Sequence, residues 1–119
     1  MGVGMPAQIW LQEFGSLVWD AFGGPPYLVG SALKNKDGWR DVDVRMIISD
    51  GDWEAMGLGN TDPNKHNEKW RSLCLAYSAL GKQMTGLPID FQLQSQTEAN
   101  TYDGPRSALG LVPLRLLSH

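Results

Sequence analysis

Cysteine is nearly absent from this 119-residue chain. Cys74 stands alone, so no intramolecular disulfide can form and no zinc site built on several thiolates is available. The two histidines, His66 and His119, are each isolated, and neither reads as a metal ligand. No apolar run approaches the roughly 20 residues that span a bilayer, so no membrane segment is expected. The opening MGVGMPAQIW has neither the basic stretch nor the apolar core of a secretory signal. Like charges are also dispersed. Ten basic residues face thirteen acidic ones, for a net charge of −3, and no block of five like charges occurs. A basic arm for gripping duplex DNA is therefore missing, and composition gives no strong nucleic-acid signal. Together these absences lead us to expect a reducing, cytoplasmic setting.

What is present is ordinary globular material. Hydrophobic residues make up 42% of the chain, enough for one core in one domain. Glycine and proline cluster at 1–6, 23–30, 57–59, 81–88 and 104–113, as punctuation between elements. Between these breaks, Trp10, Phe14, Leu17, Val18 and Ala21 share the spacing of one helix face over 7–22. Tyr27-Leu28-Val29 reads as a short buried strand, and 31–40 as a polar stretch with an Asp37-Gly38 turn. Residues 41–49 alternate, with Val42, Val44 and Met46 on one side and Asp41, Asp43 and Arg45 on the other. Asp50-Gly51-Asp52 reads as a turn, residues 53–56 as a helical turn, and residues 57–63 as a loop. Trp70, Leu73, Cys74, Tyr77, Leu80 and Met84 mark a helix over 64–85, ended by Gly86. Ile89, Phe91 and Leu93 then alternate with Asp90, Gln92 and Gln94 as a third strand. Residues 95–106 read as a polar loop and 107–117 as an apolar tail. The order α–β–β–α–β predicts an α+β, two-layer fold: a small mixed sheet of three or more strands with helices packed on it. We expect a single domain over 1–119, with its core at about 8–94 and the 95–119 tail unassigned.

Three carboxylates stand out by position. Asp41 and Asp43 are two apart on one strand, so both project from the same face. That separation suits a shared hard cation with oxygen ligands. Asp90 occupies the polar face of another strand. If the two strands are neighbours, three like charges converge, at a cost unless a cation sits among them. Magnesium or manganese is the expected ion, and two such ions can activate an attacking oxygen and steady a leaving phosphate. Upstream, Gly30 and Ser31 close a strand. A glycine there lets a phosphate approach the backbone, and the serine can donate to a phosphate oxygen. Lys34, Lys36, Arg40 and Arg45 either offset phosphate charge or simply solubilise the surface.

These residues resemble the polymerase β-like nucleotidyltransferases. Members carry an apolar residue, Gly, then Gly or Ser, a gap, and an Asp-apolar-acid-apolar run. Here that reads Val29-Gly30-Ser31, nine residues, then Asp41-Val42-Asp43-Val44. A third acid on a later strand is matched by Ile89-Asp90-Phe91. The likeness is greatest to the minimal, single-domain members and covers about residues 8–94. It implies an enzyme that moves an NMP from an NTP to a hydroxyl of a protein, RNA or small molecule, releasing pyrophosphate. In that scheme Asp41, Asp43 and Asp90 are catalytic and bind Mg2+ or Mn2+. The triphosphate lies against Gly30 and Ser31, with Lys34 and Arg40 beside it.

Two other classes fit the same residues. One is a catalytically silent module of the same fold, regulatory or antitoxin-like, that binds a nucleotide or a protein partner. Its interface is the apolar stretch Leu109–Leu117, which also suits a homodimer. The other is a structural protein in which Asp90 lies far from Asp41 and Asp43. Trp39 would stack on a base in the first scheme. Arg106 either reaches back to the phosphates or belongs to a plain loop.

Overall fold

The computed structural model describes residues 5–30, 41–59, 67–102 and 104–110. Its elements are α1 (Met5–Phe22), β1 (Tyr27–Val29), β2 (Val42–Ile48), α2 (Asp50–Ala55), α3 (Glu68–Thr85), β3 (Ile89–Ser95), α4 (Gln96–Ala99) and β4 (Ser107–Ala108). The strands form one mixed sheet in the order β3-β2-β1-β4. β1 runs antiparallel to β2 and to β4, whereas β2 and β3 run parallel. Parallel neighbours need a crossover, and the segment carrying α2 and α3 supplies it. The α+β architecture read from the sequence is the one observed. Among the described residues no helix is long and apolar enough to cross a membrane.

Alternation decides which face of the sheet is covered. Val42, Val44, Met46 and Ile48 of β2 enter the core with Ile89, Phe91 and Leu93 of β3 and Leu28 of β1. α3 lies on β3, and α1 packs beside α3. Four aromatic rings join these layers: Phe91 meets Phe14 edge-on at 6.2 Å and lies 5.2 Å from Tyr77 and 6.3 Å from Phe22. α3 is fitted closely to the sheet. A Cβ on Gly81 would come within 3.0 Å of both Ile89 Cγ2 and Phe14 Cζ. Cys74 belongs to this seam: its Sγ accepts from the Leu93 N–H at 3.4 Å, and burial pushes its thiol pKa up.

Several boundaries and faces differ from expectation. The buried stripe of α1 is Leu11, Phe14 and Val18, while Trp10 and Leu17 are exposed. Apolar residues occupy more than one side of this helix, and docking selects the stripe that fits the sheet. α3 begins at Glu68 rather than at 64, because Asn67 caps it by accepting from the Trp70 N–H at 2.9 Å. Residues 50–52 open α2 instead of forming a turn, with Ser49 accepting from the Asp52 N–H. The supposed polar loop after β3 contains α4. Its signal is capping, not hydrophobic period: Ser95 accepts from the Glu98 N–H at 3.0 Å. From α2, Asp50 accepts from the Thr97 N–H and hydroxyl, and these bonds hold its carboxyl pKa below the usual range.

The segment after β4 is fastened to α1 by two glycines that touch. Leu109 is fully buried, and its N–H donates to Pro26 O at 2.9 Å. The Gly110 N–H donates to Gln12 Oε1 at 2.7 Å. Gly110 has φ +82°, and a Cβ there would lie 2.8 Å from the Gly15 carbonyl carbon and the Ser16 nitrogen. Neither backbone atom can rotate away. Gly110→Ala is therefore expected to destabilise the fold by more than about 1–2 kcal/mol. Gly104→Ala, where a Cβ meets nothing within 4 Å, is expected to change it by less than about 0.5 kcal/mol. Urea unfolding of the two variants checks this, and equal midpoints would refute the close packing.

Candidate active site on the open sheet face

The side chains that alternation turns away from the core make the site. On β2 these are Asp43, Arg45 and Ile47, and on β3 Asp90, Gln92 and Gln94. The parallel register pairs Asp43 directly with Asp90, which sets their Cα atoms about 4.8 Å apart. Asp41 lies just before β2, exposed. Two of the three expected carboxylates are thus side by side, and the third is close enough to act on them electrostatically. Burial raises the pKa of Asp43. The Arg45 charge pulls it back, while Asp90 and Asp41 push it up again, as does the hydrogen bond between the Asp43 and Asp90 carboxyls. Among the described residues, no group of three acids, histidines or cysteines surrounds a point where an ion could sit.

Gly30 ends β1 beside this pair. Val29 is paired with Asp43 in the antiparallel register, which carries the next residue past the carboxylate. Gly30 takes φ +78°, and a Cβ on it would lie 2.6 Å from Asp43 Oδ2. That left-handed backbone favours glycine, and a Cβ there would push the Asp43 carboxylate aside. The Val-Gly element of the motif is accounted for by this contact. Ser31, Lys34 and Arg40, with Lys36, Asp37 and Trp39, lie outside the described residues, as do His66, His119 and the tail from residue 111.

Arg45 has a larger part than its sequence position conveyed. Its Nη1 donates to Asp90 O at 2.8 Å and to Val44 O at 3.1 Å. Its Nη2 is 3.4 Å from Asp90 Oδ2 and 3.8 Å from Asp43 Oδ1. The guanidinium therefore ties β2 to β3 and partly neutralises the acid pair. Period-two spacing put Arg45 on the Asp43 face, but its bridge to Asp90 depends on the strand pairing, which spacing does not show. Beyond Arg45, a cleft of about 330 Å³ opens along the same face, with Gly30 at one side and Gln92, Gln94, Tyr102 and Arg106 around it. Arg106 lies exposed in the irregular segment before β4, and its guanidinium stands 5.8 Å over the Tyr27 ring.

Compared with protein-family models, curated proteins and solved structures, the chain finds no significant match in any of the three. The functional reading accordingly rests on the geometry and on the motif resemblance.

Proposed function

We propose that the open sheet face is a metal-dependent nucleotidyl-transfer site. The observation that carries this reading is the pairing of Asp43 with Asp90 across parallel strands, with Gly30 pressed against the Asp43 carboxylate. Burial is the main cause of the raised pKa of Asp43, and the neighbouring Asp90 and Asp41 charges add to the cost of ionising it. A divalent cation would relieve that cost. The oxygen-only donors fit magnesium or manganese, so the residues present are compatible with the ion. Asp41 and Asp43 would hold the metal on the triphosphate, and Asp90 a second one. The ions supply charge neutralisation at the phosphates.

The protein's own groups do the rest. Gly30 lets the Asp43 carboxylate close on the backbone beside the phosphates, and Ser31 donates to a phosphate oxygen. Lys34 and Arg40 offset its charge. Asp90 accepts the proton of the acceptor hydroxyl. The hydroxyl oxygen then forms a bond to the α-phosphorus in line with the bond that breaks, and pyrophosphate leaves. Catalysis comes from positioning and from fixed charge.

A second reading has its own observation. Arg45 already lies within 3.4 Å and 3.8 Å of the two carboxylates, and it neutralises part of their charge without a metal. That favours a silent module of this fold, binding a nucleotide or a protein partner. Thermal unfolding with each NTP, with and without magnesium or manganese, separates the two. At about one hundred times its dissociation constant a nucleotide adds about 2.7 kcal/mol. Transfer predicts a metal-dependent shift in the wild type that Asp41→Asn loses. A shift indifferent to metal and to Asp41→Asn, or none with any nucleotide, would favour the silent module.

A further inference from the structure

From the cleft beside the acid pair we infer a nucleobase-binding site in which the amides of Gln92 and Gln94 read the base. The choice of ligand rests on the nucleotidyl-transfer reading, but the cleft has its own evidence. Gln94 is only 8% exposed, yet it lines the cleft. Its amide makes no hydrogen bond to a described residue. It is not a sealed orphan either, because among the described residues no fully buried side-chain nitrogen or oxygen lacks a partner. The amide therefore opens onto the cleft, its donor and acceptor uncommitted among the described residues. A buried amide held in this state is matched only when something polar enters. Gln92, two residues earlier on the same face, likewise makes no hydrogen bond to a described residue and also lines the cleft.

The rest of the lining narrows the ligand. Among the described residues two arginines border the cleft and no acid does, which suits a ligand rich in acceptors. A simple anion would use the arginines and leave both amides idle. A planar base presents adjacent donors and acceptors, which a glutamine amide meets in bidentate fashion. Tyr102, 56% exposed at the rim, offers a ring for the base to stack on. Spacing fits as well. Gln92 and Gln94 lie about 7 Å and 13 Å along β3 from Asp90, the direction a nucleoside would extend from a phosphate at the acid pair.

The test is calorimetric titration of the full chain with AMP, GMP, CMP, UMP and ribose 5-phosphate, with no divalent cation present. At least one nucleotide is expected to bind about tenfold or more tighter than ribose 5-phosphate. Gln94→Leu, matched in size, is expected to erase that difference while keeping the wild-type melting temperature. Gln92→Leu serves as the second variant should Gln94→Leu fail to fold. Equal binding of all five compounds would overturn the inference and leave an anion site. Binding of none, or a base preference that survives both substitutions, would overturn it too. Nucleotidyl transfer is assayed separately with NTP and metal. Base-dependent binding without transfer would sink the transfer reading and leave the base site standing. Transfer with base-blind binding would do the reverse.

Discussion

Phe91→Ala is expected to cost the fold about 3–5 kcal/mol, the usual range for deleting a fully buried phenylalanine. Phe91 is completely inaccessible, sits mid-strand in β3, and meets Phe14, Phe22 and Tyr77. Its backbone is gripped as well. The Phe91 N–H donates to Ser78 Oγ at 2.8 Å, and the Ser78 hydroxyl lies 3.3 Å from Phe91 O. The ring thus joins α1, α3 and the sheet at the point where β3 carries Asp90 and Gln92 on its other side. Domains of this size have about 5–15 kcal/mol of total stability, so the variant should melt on the order of 15 °C lower. Phe91→Leu separates the contributions. It keeps most of the apolar volume and loses the aromatic pairs, each worth about 0.5–1.5 kcal/mol, so its loss should be well under half as large. A Phe91→Ala midpoint within about 1 kcal/mol of wild type would mean that the core does not hold β3 in place.

The particular residues show how far the sequence could be read. Strict alternation at Val42–Met46 and Ile89–Leu93 identified both strands and the face each buries, because period two leaves only two choices. The same rule put Asp43 and Asp90 on polar faces. It did not say that β2 and β3 are neighbours, since adjacency is a tertiary fact, and only the motif resemblance implied convergence. Helix faces were harder. α1 carries apolar residues on more than one side, so its period allowed a stripe through Trp10 and Leu17, which the structure leaves exposed. α4 escaped because it is four residues long and held by Ser95 and Asp50, with no period to detect. The reach of Arg45 to Asp90 and the open amide of Gln94 depend on strand pairing and on a wall built from residues after Ala99. No local pattern encodes either.

Asp43→Asn is expected to abolish function while stabilising the fold. If the site transfers nucleotides, removing one charged metal-binding oxygen should lower turnover by about a hundredfold to a thousandfold. The stability effect has the opposite sign and follows from the raised pKa of Asp43. Burial is its leading cause, opposed by Arg45 and reinforced by Asp90 and Asp41. A carboxyl whose pKa is higher in the folded state than in the unfolded chain favours folding most when protonated. That contribution is complete below the unfolded value of 3.8 and is lost as the pH rises through the raised folded value. At pH 7 the ionised side chain is therefore a burden that asparagine lacks. The variant should melt above wild type at pH 7, and the gap should close as the pH falls below about 4. Magnesium or manganese should narrow the gap at pH 7 by stabilising the wild type alone. Melting curves at both pH values, with and without metal, read all of this in one series. A variant less stable than wild type at pH 7 would mean that the Arg45 bridge to Asp43 outweighs the crowding of the acids. The pair would then be a structural ion cluster rather than a site held ready for a cation.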